Sequence, residues 1–134
     1  MTRVSTDETV VAFLLTDVDL EVLVETRIWG GISTPPRAAD YNPTSGAAIC
    51  LQTISGVDDY TDLLRHERVQ FKCYANTRAE ADDLAGVLHG ALQSGRTGNM
   101  KWARRTITPR VLAEPETGWI FAFTQYSTMI HQEE

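Results

Sequence analysis

The sequence predicts an α+β domain, with a mixed, mostly antiparallel sheet of about four to five strands and two main helices packed on one of its faces. Three observations predict this class. A strand, a capped turn and a helix occupy residues 66–94, further strand-like segments lie on both sides of this unit, and a helical pattern precedes them all. The 134 residues fit a single domain spanning 1–134, because that length is near the commonest domain size.

The central strand is predicted between Val69 and Tyr74. Val69, Phe71 and Cys73 alternate with polar residues, and a period of two places one set of side chains on a buried face. Val69 and Phe71 are therefore predicted core residues. Tyr74 interrupts the polar series, so the second face of the strand is not purely a solvent face. On that exposed side, Tyr74 is a candidate contact residue.

A helix is predicted to follow this strand. Thr77 and Glu80 have the spacing of a capping box, in which a hydroxyl and a carboxylate satisfy free amide donors at a helix start. Apolar residues then recur at intervals of three and four, which is the pattern of an amphipathic helix, and Gly95 provides a stop. The predicted core residues on this stripe are Leu84, Val87 and Leu88.

The N-terminal segment predicts either two short helices or one bent helix. Residues 5–6 offer hydroxyl caps for its start, and an apolar stripe runs from Val10 to Leu15. The pair Thr16-Asp17 interrupts the stripe, and a second helix can restart at Asp17 or Asp19. The spacing does not distinguish the two arrangements.

A long loop is predicted from Ile32 to Ala48, after a short strand at 27–29. Its prolines, including Pro35 and Pro36, and its small polar residues predict no regular element. Loops of this length in compact domains are usually functional, binding or disordered. Tyr41, in the middle of the loop, is either a contact residue or an aromatic that pins the loop to the body.

Three more strands complete the predicted sheet. Residues 47–55 precede the central unit, and 56–65 form an acidic connection. Residues 101–112 follow the helix, and Pro109 places that strand at an edge or gives it a bulge. Residues 119–130 form the longest strand candidate. Its apolar residues on both faces, among them the predicted core residue Phe121 and also Tyr126, indicate a central strand or a face that meets another subunit.

Charge and cysteine usage narrow the class of protein. The 18 acidic and 12 basic residues give a net charge of −6, whereas nucleic-acid-binding domains usually carry a basic patch. The densest basic group, Lys101 with Arg104 and Arg105, is interpreted as a solvated face. The N-terminal residues lack the apolar segment of a signal peptide, which predicts folding in the cytoplasm. Cys50 and Cys73 are therefore expected to be buried free thiols.

No motif with catalytic or metal-binding spacing occurs in the sequence. The histidines have no carboxylate or cysteine at a recognisable motif spacing, and the acidic run at 58–62 lacks the ligand alternation and glycine of a calcium loop. Residues 94–98 lack the Gly-Lys-Ser/Thr ending of a phosphate loop. We therefore expect no metal, no cofactor and no enzymatic activity. The histidines concerned are His66, His89 and His131.

Four segments together carry a resemblance to a known family. They are Glu25–Gly30 at the end of the N-terminal helix, the Pro-rich loop into the strand at Ala48, the run Arg68–Thr77 leading into Ala81–Ala85, and the closing strand from Trp119. In these segments the chain resembles the tail-terminator proteins of long-tailed bacteriophages, also called tail-completion or tail-to-head joining proteins. The resemblance spans nearly the whole chain.

The resemblance implies a sheet with helices on one side and a hexameric ring that caps the tail tube, stops its polymerisation and joins the tail to the head–neck connector. The expected partners are other copies of the chain, the tail tube protein and the connector, and no membrane is involved. The protein would be made in the cytoplasm of a bacterial host and would reside in the virion, at the tail–neck junction. DNA would pass through the lumen without specific binding, and the acidic excess could line that lumen.

A closed ring joins one face of each subunit to a different face of its neighbour. Two other functions stay open at this stage: another neck or head-completion component of the same particle, and a small cytoplasmic ligand-binding or enzymatic α+β module. The predicted contacts with a neighbouring subunit or another partner are Trp29, Pro35, Pro36, Tyr41, Tyr74 and Tyr126.

Overall fold

A computed structural model describes residues 6–32, 35, 41–58, 64–94, 100–115 and 117–131. Within these residues the chain forms three α-helices, five strands and one short 3-10 helix. No helix in this described part is long and apolar enough to cross a membrane. In chain order the elements are α1 (Thr6–Leu15), α2 (Val18–Val24), β1 (Ile28–Gly30), the 3-10 helix (Pro43–Ser45), β2 (Ala48–Asp58), β3 (Leu64–Ala75), α3 (Arg78–Ser94), β4 (Met100–Ala113) and β5 (Ile120–His131).

The strands form one mixed sheet in the order β1-β2-β3-β5-β4. β1 runs parallel to β2, and the other neighbouring strands are antiparallel, so the predicted α+β class is confirmed. β4 lies at an edge, as Pro109 predicted, and its pairing with β5 shifts register between Ile107 and Arg110. A proline in that interval cannot donate a hydrogen bond to the ladder, which explains the irregularity.

The three described helices pack on one side of the sheet, called here the helix side. α1 contacts β1 and β2, α2 contacts β2 and α3, and α3 contacts β3, β4 and β5. Apolar side chains of the helices meet those strand residues that point to the same side, and each fully buried one stabilises the fold by about 1.5–3 kcal/mol. The largest buried side chains in this core include Leu14, Leu20, Ile49, Phe71, Leu84 and Leu88.

The N-terminal segment forms two helices rather than one bent helix. Asp17 separates them, because its carboxylate accepts a 3.0 Å hydrogen bond from the backbone N–H of Leu20 and caps α2. The close approach of α1 to β1 depends on Gly30. A Cβ at Gly30 would lie 2.9 Å from Cγ2 of Val11, closer than two carbon atoms can pack.

The central unit has the predicted strand, cap and helix. Thr77 Oγ1 accepts a 3.2 Å hydrogen bond from the backbone N–H of Glu80, and α3 begins at Arg78. Gly95, the predicted stop of this helix, lies outside the described residues. Residues 56–58 and 64–65, expected in an acidic connection, instead lie at the ends of β2 and β3, where Asp58 pairs with Arg65.

The expectation that the last strand is the longest is wrong. β5 has 12 residues, whereas β4 has 14. The two are joined by a tight turn in which Glu114 N–H donates to the carbonyl of Trp119 at 2.8 Å, so β4 pairs along nearly all of β5. β5 is an interior strand between β3 and β4, as its apolar residues on both faces indicated.

Candidate interaction surfaces

The side of the sheet opposite the helices, called here the open side, carries a second apolar cluster. Its buried members are Ala48, Cys50, Tyr74 and Phe121. Half-buried aromatic side chains from β1, β5 and the segment before β2 pack around them. The aromatic cluster, as the term is used below, comprises Trp29, Tyr41, Tyr74, Trp119, Phe121 and Phe123.

Tyr41 covers the centre of the aromatic cluster. Its ring centroid lies 5.7 Å from that of Trp29, 6.4 Å from that of Tyr74 and 5.6 Å from that of Trp119, all in edge-to-face orientations. Its hydroxyl donates a 2.6 Å hydrogen bond to the carbonyl oxygen of Gly46, and burial raises the pKa of Tyr41 to about 12. Tyr41 therefore pins its segment to the sheet. This is the second of the two roles that the sequence left open for Tyr41.

Arg27 holds the other end of the same segment. Its Nε donates to the carbonyl oxygen of Ala47 at 2.8 Å, and it forms a 3.2 Å ion pair with Glu25. Gly46 lies directly against the guanidinium with φ 144, so a side chain there would be strained and would overlap Arg27. This part of the predicted loop also contains the 3-10 helix, contrary to the expectation of no regular element, because Asn42 caps it.

Tyr74 is completely buried, which corrects its predicted place on an exposed side. The other rings of the aromatic cluster cover it, and its hydroxyl donates to a carboxylate oxygen of Glu114 in the turn between β4 and β5. Burial, reinforced by the hydrogen bond to Glu114, raises the pKa of Tyr74 well above its ordinary value. Tyr74, which interrupts the polar series along β3, therefore belongs to a second core layer on the open side.

Tyr126 lies on the helix side and is 1% exposed, so it has no surface to offer a partner. Its ring packs edge to face on Phe71 with centroids 5.5 Å apart, and its hydroxyl lies 2.7 Å from Nδ1 of His89. Burial raises the pKa of Tyr126 to about 12. Burial, and secondarily the charge of Arg105, lowers the pKa of His89.

Beyond the aromatic cluster, the open side becomes polar. Gln52, Gln70 and Gln125 are in register on β2, β3 and β5, and Gln70 Nε2 donates to Gln52 Oε1 at 3.3 Å. Alternation along the central strand predicted that Gln70 faces away from the buried side of Val69 and Phe71. It could not predict that the three glutamines line up, because strand register depends on pairings between distant segments.

Basic residues flank this glutamine row on the open side. On one side, Lys72 is in register with Phe123 and Arg110, and its Nζ lies 4.7 Å from the ring centroid of Phe121. On the other side, Arg68 and Arg104 both pair with Ser127. Arg68, Arg104 and Arg110 are exposed. Arg104, from the basic group predicted in the sequence, therefore belongs to one basic surface with Arg68, Lys72 and Arg110.

Charge is separated between the two layers of the fold. The three described helices carry seven carboxylates and a single Lys or Arg, whereas the five described strands carry seven Lys or Arg residues and two carboxylates. The helix residues are Asp7, Glu8, Asp19, Glu21, Glu80, Asp82 and Asp83 with Arg78; the strand residues are Arg65, Arg68, Lys72, Lys101, Arg104, Arg105 and Arg110 with Asp58 and Glu67.

Both cysteines are free and buried, which confirms the expectation from sequence. Cys73 lies in the helix-side core and Cys50 in the aromatic cluster's layer. Among the described residues no group of three or more histidine, cysteine or acidic side chains could hold a metal ion. The side chains of His66 and His131 and the acidic residues at 59–62 lie outside the described part.

The remaining predicted core and contact residues differ in how deeply they are buried. Trp29 is half-buried at the rim of the aromatic cluster and Pro35 is half-buried, while Pro36 lies outside the described residues. Phe121 is buried on the open side and Val87 is half-buried against the helix-side core. The other predicted core residues, Val69, Phe71, Leu84 and Leu88, are buried in that core.

A cleft lies between α2 and α3. It has a volume of about 570 Å³, and Asp17, Asp19, Val22, Leu23 and Val87 contribute to its lining. A smaller cleft of about 120 Å³ lies beside the 3-10 helix and Trp119. Neither a scan against protein-family models nor a search of curated proteins finds a match to this chain.

Proposed function

We propose that this chain is a structural virion protein of a long-tailed bacteriophage, a tail terminator. Its hexameric ring caps the tail tube, stops tube polymerisation and joins the tail to the head–neck connector. The proposal rests on the resemblance carried by Arg68–Thr77 and the other three segments. The structural observation that supports it best is the two-sided sheet, with an acidic helix layer on one side and an aromatic and basic surface on the other.

Two unlike faces on one subunit suit a ring. A cyclic assembly of more than two copies needs a heterologous contact, in which one surface of a subunit fits a different surface of its neighbour. The protein would act by presenting complementary surfaces to copies of itself, to the tail tube and to the connector, and it would transform no substrate. It would work in the virion at the tail–neck junction.

An acidic lumen would let DNA pass without binding. Glu80, Asp82 and Asp83 are exposed at the start of α3, and carboxylates repel the phosphates of DNA. We propose that these side chains contribute to the lumen of the ring. An electron-microscopy map of the assembled ring tests this. A lumen lined instead by Arg104 and Arg110 would contradict it.

Particles assembled without this chain provide the main test. For a tail terminator, electron microscopy should show tails of uncontrolled length beside unattached, DNA-filled heads. Tails of normal length beside heads that leak DNA would instead indicate the alternative function, a neck or head-completion component. Restoring the chain from a plasmid should restore joined particles of uniform tail length in the first case.

Sedimentation of the purified protein separates the third function from the first two. A small ligand-binding or enzymatic module would sediment as a monomer at every concentration and would not cap tail tubes. A ring former should approach the mass of six copies at high concentration or in the presence of tubes. Replacing Pro35 in the loop should leave the folded structure intact and reduce the yield of joined particles. Normal joining by that variant would remove the loop from the assembly surface.

A further inference from the structure

Four of the six large apolar side chains that the described structure leaves exposed lie together at the end of α1 and on α2. Val18 and Val22 are 72% and 77% exposed, and they follow each other by one helical turn. Leu20 and Val24, on the opposite face of α2, are buried in the helix-side core. The helix patch, as used below, comprises Leu15, Val18, Val22 and Leu23 with the carboxylates Asp17, Asp19 and Glu21.

This surface is concave and acidic. Val22 and Leu23 line the cleft of about 570 Å³ between α2 and α3, and Asp17 and Asp19 lie at the same cleft. Gly90 also lines it, and a Cβ at that position would meet no atom within 4 Å. The cleft therefore has an apolar wall, a carboxylate rim and room for a side chain from another molecule.

The opposite side of the molecule carries the complementary chemistry. Leu112, on β4, is 45% exposed and is in register with Phe121 on the open side. Arg110 and Arg104 are exposed on the same strand, and Arg68 lies in the row of Arg104. The open-face patch, as used below, comprises Arg68, Arg104, Arg110 and Leu112.

We propose that the helix patch of one copy docks on the open-face patch of the next copy. The two patches have opposite charge. The helix patch places four exposed apolar side chains beside its carboxylates, and the open-face patch places Leu112 beside Arg110. They lie on opposite sides of one sheet, so the contact joins copies head to tail. This inference rests on the proposed ring function and adds to it the surfaces through which the ring would close.

The charge pattern also argues against a symmetric dimer. If two helix patches met each other, the carboxylates of both copies would be brought together at an apolar surface, and like charges facing each other weaken association. The same holds for two open-face patches with their arginines. A heterologous contact pairs acid with base instead, and such contacts close into rings when the rotation between copies permits.

The test uses the full chain and two blocked variants. Gly90→Gln places a polar side chain in the cleft, and Arg110→Glu reverses a charge of the open-face patch. Each should weaken self-association in sedimentation velocity by at least about tenfold. Gly86→Gln is the matched control, because Gly86 lies one turn away on α3, does not line the cleft and also has open space around its Cβ position.

Mixing the two blocked variants distinguishes the head-to-tail contact from a symmetric one. Each variant keeps one intact patch, so the mixture should form one-to-one dimers that do not grow further. A charge-swapped chain carrying both Asp19→Arg and Arg110→Glu should regain association relative to either single substitution. Unchanged association of Gly90→Gln, no dimer in the mixture, or a wild-type chain that stays monomeric at millimolar concentration even in the presence of tail tubes would overturn the interface.

Tube capping by the same samples separates failure of the interface from failure of the proposed function. If Gly90→Gln and Arg110→Glu both cap tail tubes and join heads as the wild type does, the interface is wrong and the terminator function stands. If the wild type forms rings through the two patches and never caps tubes, the interface stands and the terminator function is wrong.

Discussion

The two sides of the sheet are built differently from the same strands. On the helix side, apolar residues of β2, β3 and β5 meet the apolar stripes of three helices, and the core is closed by regular secondary structure. On the open side, aromatic rings cover one another, and an irregular segment held by Tyr41 closes the layer. The helix side therefore has many interlocking contacts between strand and helix side chains, whereas the open side depends on a few large aromatic side chains.

This difference indicates that the two sides of the sheet have different roles in the subunit. A core closed by helices loses much stability when a single residue is changed, because its cavities cannot collapse fully. A layer closed by a short segment can open locally at a lower cost in free energy than global unfolding. We therefore expect the helix side to determine whether the chain folds and the open side to determine how it meets a partner.

The largest effect is expected from a charge placed in the helix-side core. Phe71→Asp and Leu88→Asp should each unfold the subunit, because both side chains are completely buried and an unpaired carboxylate there costs several kcal/mol beyond the lost packing. Circular dichroism and urea denaturation measure the loss. Phe123→Asp is the matched change on the open side, where Lys72 and Arg110 share its row and water has access.

Phe123→Asp should keep the folded structure, with a reduced free energy of unfolding. If Phe71→Asp and Phe123→Asp were equally damaging, the two sides would not differ as described. If Phe71→Asp folded normally, the position of Phe71 at the centre of the core would be wrong.

The next largest effect is expected from removing the ring that closes the open side. Tyr41→Ala should lower the free energy of unfolding by about 2 kcal/mol, because three edge-to-face contacts disappear together. Tyr41→Phe keeps the ring and loses only the hydrogen bond to Gly46, so it should cost about 1 kcal/mol. Urea denaturation measures both. A Tyr41→Ala chain as stable as wild type would show that the segment does not close the layer.

The helix side could be predicted from the sequence because its signals are local. The period of two in Val69–Cys73, the capping spacing of Thr77 and Glu80, and the helical stripe that follows are each contained within about one element. Pro109 also marked its edge strand without reference to any other segment. In each case the chemistry of neighbouring residues along the chain is sufficient to specify the structure.

The open side could not be predicted in this way because it is assembled from distant segments. Tyr74, Trp119 and Tyr41 meet only when the strand order and register are known. Sequence patterning showed that β3 has an apolar residue on its second face, and it left open whether a partner or the chain itself covers that residue. The separation of charge between helices and strands was present in the sequence. The net charge of −6 does not reveal it, because that number is a sum over all elements.

The labelling rates of the two cysteines compare the two sides directly, and the expected effect is smaller than that of the substitutions above. Burial raises the pKa of the Cys50 thiol to about 12 and also raises the pKa of Cys73, so both should react slowly with iodoacetamide in the native state. We expect Cys50 to react faster, because opening of the segment held by Tyr41 exposes the open side without global unfolding. Labelling of Cys73 should require unfolding of the helix-side core.

Mass spectrometry of each labelled cysteine over a series of low urea concentrations measures this difference. The labelling rate of Cys73 should rise steeply with urea, and that of Cys50 should be less dependent on it. Tyr41→Ala should accelerate labelling of Cys50 more than that of Cys73. Equal rates and equal urea dependence for both thiols would indicate that the two layers open together.

The smallest effect is expected from the pH dependence of His89 at the margin of the helix side. Its pKa in the folded chain is lowered, first by burial and then by the charge of Arg105, whereas an unfolded histidine has a pKa of about 6.5. The unfolded state therefore takes up a proton more readily, so the contribution of His89 to stability is present above about pH 6.5 and is lost as the pH falls below that value. His89→Gln should reduce the slope of unfolding free energy against pH between about 5 and 7. Because carboxylates also titrate near the lower end of this window, the measured quantity is the difference in slope between wild type and variant in urea denaturation. An equal slope in the two chains, or a steeper one in His89→Gln, would mean that the contact with Tyr126 does not depend on a neutral imidazole.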